Sequence, residues 1–101
     1  MMVKVVGFDW DEANIEKCQK HGVSITMIEE FFNDDLNLLT DVSHSTDEDR
    51  HIAIGRIPDG RAMFVGFTYR LGKRGLLIRP ITARFMHKRE IQKYEKAFAK
   101  I

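Results

Sequence analysis

Residues 75–98, GLLIRPITARFMHKREIQKYEKAF, change hydrophobic period part-way along, and that change limits what the chain can fold into. Leu76-Leu77-Ile78 opens a run of strand-like composition. Beyond a turn-like join at Phe85-Met86 the spacing becomes helical. Ile91, Tyr94, Phe98 and Ile101 recur at i, i+3, i+7 and i+10, one stripe of a 3.6-residue helix. The opposite face of that helix carries Lys88, Arg89, Gln92, Lys93, Lys96 and Lys100, and Arg79 and Arg84 lie within and at the end of the strand. An apolar strand and an apolar helix face must each be covered by the rest of the chain. The corner between them concentrates cations, an arrangement that suits a polyanion.

The upstream chain reads as scaffold for that corner. Val3 to Phe8 is a short apolar strand. Asp9 is the expected N-cap of a first helix, with Glu12 completing a capping box. That helix runs to about His21 and stops at Gly22. Ser24 is the next N-cap, followed by Ile25, Ile28 and Phe32 at helical spacing, and Asn33-Asp34-Asp35 ends the second helix. Leu36 to Thr40 reads as a short strand, and Asp41 to Asp49 as an acidic loop. Arg50 to Ile57 and Arg61 to Arg70 are strands joined by the turn Pro58-Asp59-Gly60, where Pro fixes φ and Gly accepts φ > 0. Leu71 to Gly75 turns into the strand described first. Three strands joined by short turns make an antiparallel meander. Pro80 cannot donate to a sheet ladder, so its strand is expected to be an edge or bulged at that point. The predicted class is α+β: an antiparallel sheet, two N-terminal helices and a closing C-terminal helix.

At 101 residues the chain is sized for one domain, 1–101, with one modest core. Its single cysteine, Cys18, excludes an internal disulfide and fits a reducing compartment. The opening MMVKVVGF is too short for a signal-peptide core, and no run approaches membrane-spanning length. The expectation is a cytoplasmic protein with no membrane partner. The net charge of +1 conceals a strong asymmetry. Residues 1–49 hold three Lys/Arg against twelve Asp/Glu, a net of −9, whereas residues 50–101 hold thirteen against three, a net of +10. Distribution governs polyanion binding more than the sum does, so a nucleic-acid partner stays in play.

The candidate chemistry rests on arginines. Arg is permanently protonated and offers a planar fork matched to phosphate. Arg50, Arg61, Arg70, Arg79 and Arg84 lie on or beside strands, where they can be held rigidly. Proton carriers are scarcer. His21 sits at the end of the first helix, where the helix dipole also suits it as a capping residue. His44 lies in the acidic loop, His51 follows Arg50, and His87 opens the last helix. No two histidines have the i, i+4 spacing of a helical metal pair and the cysteine has no partner, so neither a metal nor a cofactor is expected. Glu90, the lone acid at the basic corner, is a general base or an orienting partner for Arg84 or Arg79. Neighbouring cations lower its pKa and favour the second role. Tyr94, four residues on, puts its ring on the apolar stripe and its hydroxyl within range of a phosphate or Glu90.

Phe8-Asp9-Trp10-Asp11, Asn14 and Lys20-His21-Gly22-Val23-Ser24 resemble the N-terminal signature of the BrnT toxin family, and the likeness resumes at Glu48 to Arg50 and Ile54-Gly55. It is strongest at Arg79 to Arg84 (RPITAR) with Glu90 and Tyr94, which resembles that family's ending. The resemblance implies a RelE-like fold and a ribonuclease toxin of a type II toxin–antitoxin module that cuts RNA without a metal and halts translation. It implies a BrnA-like antitoxin partner, in a hetero-oligomer that binds operator DNA through the antitoxin. In that reading Arg84 and Arg79 hold the scissile phosphate and Glu90 orients them. His21 or Tyr94 moves protons. Lys20, Arg50, Arg61, Arg70, Lys88, Arg89 and Lys93 bind RNA. A non-catalytic RNA- or ribosome-binding module, or a protein-interaction domain with a basic face, would use the same cations.

Overall fold

A computed structural model describes residues 5–33, 37–40 and 50–97, with backbone only for 37–40. The acidic loop 41–49, His44, and the stripe and face positions Phe98, Lys100 and Ile101 lie outside the described residues. The elements run β1 (Val5–Phe8), α1 (Glu12–Gln19), α2 (Ile25–Phe31), β2 (Asn37–Thr40), β3 (His51–Arg56), β4 (Ala62–Leu71), β5 (Leu76–Phe85) and α3 (Lys88–Ala97). Five strands form one sheet in the order β1-β5-β4-β3-β2. The class is α+β, as expected.

The meander β2 to β5 is antiparallel, but β1 pairs parallel with β5, so the sheet is mixed where an antiparallel one was expected. The reason is connectivity. No hairpin follows β1; two helices carry the chain to the far edge of the sheet, and the meander then returns to β1's side. Parallel neighbours need a long crossover, and here nearly the whole chain between Phe8 and Leu76 provides it.

The turns follow their sequence signals. Gly60 has φ 94°, and its N–H donates to the Ile57 carbonyl at 2.9 Å. Gly22, with φ 82°, stops α1. Ser24 caps α2, its Oγ accepting from Met27 N at 3.1 Å. The cap of α1 lies two residues later than expected. Asp9 N–H donates to the Ile78 carbonyl at 2.8 Å, which keeps Asp9 in the sheet ladder and delays the helix. Asp11 is the N-cap instead. It accepts from Asn14 N at 3.1 Å while Asn14 Oδ1 accepts from Asp11 N at 2.7 Å, a reciprocal capping box.

Pro80 sits beside a bulge. Gly66 pairs with Thr82 and Phe67 with Pro80, leaving Ile81 as the extra residue of β5. The N–H and C=O of a strand residue share one edge. The Pro80 carbonyl accepts from Asn14 Nδ2 at 2.9 Å, so the missing N–H faces α1 and costs no bond to β4. Asn14, 3 % exposed, also donates to the Asp9 carbonyl at 2.9 Å and so fastens α1 to both β1's end and β5.

Two apolar clusters lie on opposite faces of β4, as its alternating side chains require. The larger holds Met63, Val65 and Phe67 with Ile78 and Ala83 of β5, Cys18 of α1, Val23, and Ile28 and Phe31 of α2. Phe32 packs edge-on against both Phe31 and Phe67, at centroid distances of 5.4 and 5.1 Å. Each fully buried side chain of this kind contributes about 1.5–3 kcal/mol. The smaller cluster holds Ile54, Ala62 and Met86, with Ile52, Phe64, Ile91 and Tyr94 packed on it. It seats α3, none of whose residues is fully buried. Ile91 and Tyr94 therefore face the sheet, as their spacing predicts.

Candidate active site

Arg84 stands near the end of β5, opposite Phe64 of β4, and its guanidinium lies over that ring, 4.4 Å from the centroid. Phe64 thus supports the flat side of the fork while its edges stay free to bond. Met86 N–H donates to the Ala62 carbonyl at 2.9 Å and Met86 is buried, which pins the strand-to-helix turn. His87 is the N-cap of α3, its carbonyl accepting from Ile91 N at 3.0 Å. Glu90 falls at the third helical position. Its Oε1 accepts from the His87 backbone N–H at 3.0 Å, one half of a capping box.

The same carboxylate takes both terminal nitrogens of Arg84, Nη1 to Oε1 at 2.6 Å and Nη2 to Oε2 at 2.8 Å. The Arg84 bonds are the main cause holding the Glu90 carboxyl down at about 2, and the carboxylate in turn raises Arg84. Glu90 is therefore ionised at any physiological pH. It grips Arg84 at two points, and a carboxylate with so low a pKa is a weak base. This end-on pairing uses one N–H of each terminal nitrogen, so three of the five guanidinium donors remain for another acceptor. The Arg84 side chain is 35 % exposed, so an anion from solvent can reach it. Tyr94 lies one turn beyond Glu90 on the same helix face and packs on the Phe64 cluster. Lys88 and Arg89 are exposed in the first turn of α3, where the positive end of the helix dipole already disfavours cations. Their place is costly for the helix and favourable for an anion.

Arg79 occupies a different corner. It pairs with Thr68 across β4, on the same sheet face as Arg84, but roughly 13 Å away along the strands. Its Nη2 lies 2.9 Å from Asp11 Oδ2 and its Nη1 3.5 Å from Asp9 Oδ2. The side chain is 17 % exposed. These ion pairs bind β5 to the start of α1. The two arginines of the RPITAR motif thus serve two places.

A family model described as "Ribonuclease toxin, BrnT, of type II toxin-antitoxin system" matches residues 10–90. The chain belongs to the BrnT family. No curated protein matches it at a significant level. As a BrnT-family chain it is a ribonuclease toxin by family, with RNA as substrate and an antitoxin as partner. The matched span contains Arg79, Arg84 and Glu90.

The remaining residues of this BrnT-family chain are spread out. His21 is exposed beyond the C-terminal end of α1, and no bond or ion pair among the described residues joins it to Arg84 or Glu90. Lys20 is the exposed C-cap of α1. Arg50 is half-buried just ahead of β3, and Arg70 is exposed near the end of β4. Arg61 is exposed, bonded to Asp59 Oδ2 at 2.8 Å through Nε, and stacked 4.2 Å over Phe85. Lys93 is exposed, its ammonium 5.8 Å from the Tyr94 ring centroid. Two residues carry more than the sequence reading gave them. His87, as N-cap, stands beside Glu90 and adds to its lowered pKa. Its signal was its place just before a helical run with Glu three residues on. Lys17 faces Arg79 and Arg70 across a cavity, which only the packing of α1 on β5 reveals. Burial pushes the Cys18 thiol up to about 11, so it is no nucleophile. Among the described residues no three His, Cys, Asp or Glu side chains could jointly hold a metal ion, and no helix is long and apolar enough to cross a membrane.

Proposed function

We propose that the Arg84–Glu90–Tyr94 corner is the cleavage site of a metal-independent endoribonuclease that inhibits translation and is neutralised by a BrnA-like antitoxin. The observation that carries this reading is the two-point Arg84–Glu90 pair. It fixes a guanidinium at an accessible rim, over an aromatic ring and beside the positive end of α3.

RNA brings its own nucleophile. The 2′-oxygen attacks the adjacent phosphorus, the bond to the 5′-oxygen breaks, the 2′-hydroxyl loses a proton and the leaving 5′-oxygen gains one. The protein has to align the attack, stabilise the charge that builds on the phosphoryl oxygens, and move two protons. Arg84 supplies the fixed charge. A donor aimed at the transition state is worth about 2.7–4 kcal/mol. Glu90 is a positioning residue: it keeps the fork from swinging into solvent and leaves its outer N–H groups aimed outward. Tyr94 and His87 are the proton-carrying side chains that the corner offers, and such transfer adds about 10²–10⁴ in rate. His21, exposed at the end of α1, is the other candidate for moving a proton. Lys88, Arg89 and Lys93 extend the positive field along α3 and hold neighbouring phosphates.

Multiple-turnover cleavage of RNA by the purified chain, with and without EDTA, tests the reading. The expected result is cleavage at equal rates in both. Activity that disappears in EDTA and returns with one divalent metal would overturn the mechanism. RNA binding without turnover would make the chain a binding module.

A further inference from the structure

α1, β4 and β5 enclose a shallow cavity of about 250 Å³ on the Arg79 side of the sheet, away from the corner just described. Its wall is formed by Ala13, Asn14, Lys17, Arg70, Arg79 and Ile81. Three of those six are cations, and none is a carboxylate. Arg70 and Arg79 come from the consecutive strands β4 and β5 and Lys17 from α1, more than fifty residues earlier, so the convergence depends on how α1 docks on the sheet. A second depression of about 360 Å³ shares Ala13 and Lys17 and continues along α1 past Glu16 to Lys20.

The wall has buried and exposed parts. Arg79 is held from behind by Asp11 and Asp9, neither of which lines the cavity, and its stem is mostly buried. Asn14 is buried and bonded to Asp11, Asp9 and Pro80. Lys17 and Arg70 are exposed, so both cations are within reach of an anion from solvent. Ala13 and Ile81 add a small apolar surface. The volume falls below the roughly 300–1,000 Å³ typical of sites for drug-sized ligands, which suits one phosphate with part of its sugar. The three cations outnumber the two carboxylates, Asp9 and Asp11, that reach Arg79 from outside the cavity, so the local field still favours an anion.

We propose that this cavity is a second phosphate subsite, holding a backbone phosphate of a single-stranded RNA whose scissile phosphate lies at Arg84. It rests on the reading of Arg84 as the cleavage site. Arg79 and Arg84 share a sheet face roughly 13 Å apart, so one strand can span both places without leaving that side of the sheet. The subsite adds binding that is equal in the ground and transition states.

The experiment uses the full chain and a 2′-O-methyl RNA oligonucleotide, which binds but lacks the attacking hydroxyl. Affinity is measured across a salt series for the wild type, Lys17→Gln, Arg70→Gln and the double variant, with melting curves alongside. Each lost phosphate contact should reduce the salt slope by roughly 0.7, and the double variant by roughly 1.4, with melting unchanged. With cleavable RNA the same variants should raise KM and leave kcat in place, the mark of uniform binding lost. Unchanged slopes in correctly folded variants would overturn the subsite. So would a loss of antitoxin affinity with oligonucleotide binding intact, which would assign the cavity to an acidic protein segment. If the wild type proved unable to cleave any RNA, the Arg84 reading would fall, and the slopes would still decide the subsite.

Discussion

Arg79 and Arg84 belong to the same strand, face the same side of the sheet and each pair with carboxylate, yet their surroundings differ. Arg79 reaches Asp9 and Asp11, which lead into α1, and only 17 % of its side chain is exposed. Arg84 reaches one carboxylate in two-point geometry, is 35 % exposed and rests on Phe64. The first pair spans two layers of the fold and secures the long crossover after β1. The second joins residues six apart at a rim and secures a direction. A salt bridge that links distant segments contributes to holding the fold. One that links neighbours beside a helix N-terminus does little to join distant parts of the fold, and here it leaves a fixed charge at an accessible rim.

Substitutions should separate the two. The largest effect is expected at Arg84→Ala: RNA cleavage should fall by about 10²–10³, equivalent to about 2.7–4 kcal/mol in the barrier. Its melting temperature should change little, because a partly exposed pair contributes about 1 kcal/mol or less. Arg84→Lys should be nearly as poor, since a point charge cannot bond Glu90 at two points and still present a fixed fork. Cleavage rates and melting curves for both variants check this. Full activity in Arg84→Ala would move the phosphate clamp elsewhere.

Arg79→Ala should invert the pattern. Folding should lose about 1–2 kcal/mol, because charge-assisted bonds and a packed stem disappear together. The folded fraction should keep most of its kcat. Urea titration with single-turnover cleavage reads both quantities. An Arg79 variant as stable as the wild type and as inactive as Arg84→Ala would collapse the distinction between the two corners.

The smallest effect is a pH dependence. Glu90 has its folded-state pKa depressed from 4.5 to about 2, chiefly by Arg84. Its stabilisation is therefore fully present above pH 4.5 and is lost as the pH falls towards 2. Glu90→Gln should flatten that part of the stability curve relative to the wild type. It should also lower kcat by leaving Arg84 without its two-point partner. Asp11 and Asp59 are depressed in the same direction, so the wild-type curve alone cannot isolate Glu90, and the difference between the two proteins is the readout. Identical acid limbs would mean that the pair does not hold in solution.

Much of this fold was legible in local chemistry. Gly22, Ser24, Pro58-Asp59-Gly60 and the change of period after Phe85 each act over a few residues, and each does in the structure what its chemistry requires. Glu90 as a partner of Arg84 or Arg79 was also readable, because it is the lone acid among the cations of that corner; the structure pairs it with Arg84. That β5 would be locally an edge or bulged at Pro80 was readable from the missing N–H; in the structure that side faces α1, and a bulge stands beside it at Ile81.

The neighbour of β1 was decided only in three dimensions. Four residues carry too little pattern to choose a partner, and the parallel pairing with β5 depends on where two helices and a meander bring the chain. The start of α1 slid from Asp9 to Asp11 because a backbone bond to Ile78, distant in sequence, competed for Asp9. Tertiary packing also split the cations that the sequence grouped together. It sent Arg84 to Glu90, and it brought Arg79 and Arg70 to Lys17. Charge, period and capping are properties of neighbours in the chain, so the sequence by itself determined the elements and the basic corner. Which cations share one anion depends on how α1 docks against β5, and the buried side chain of Asn14 fixes that docking by bonding to both sides at once.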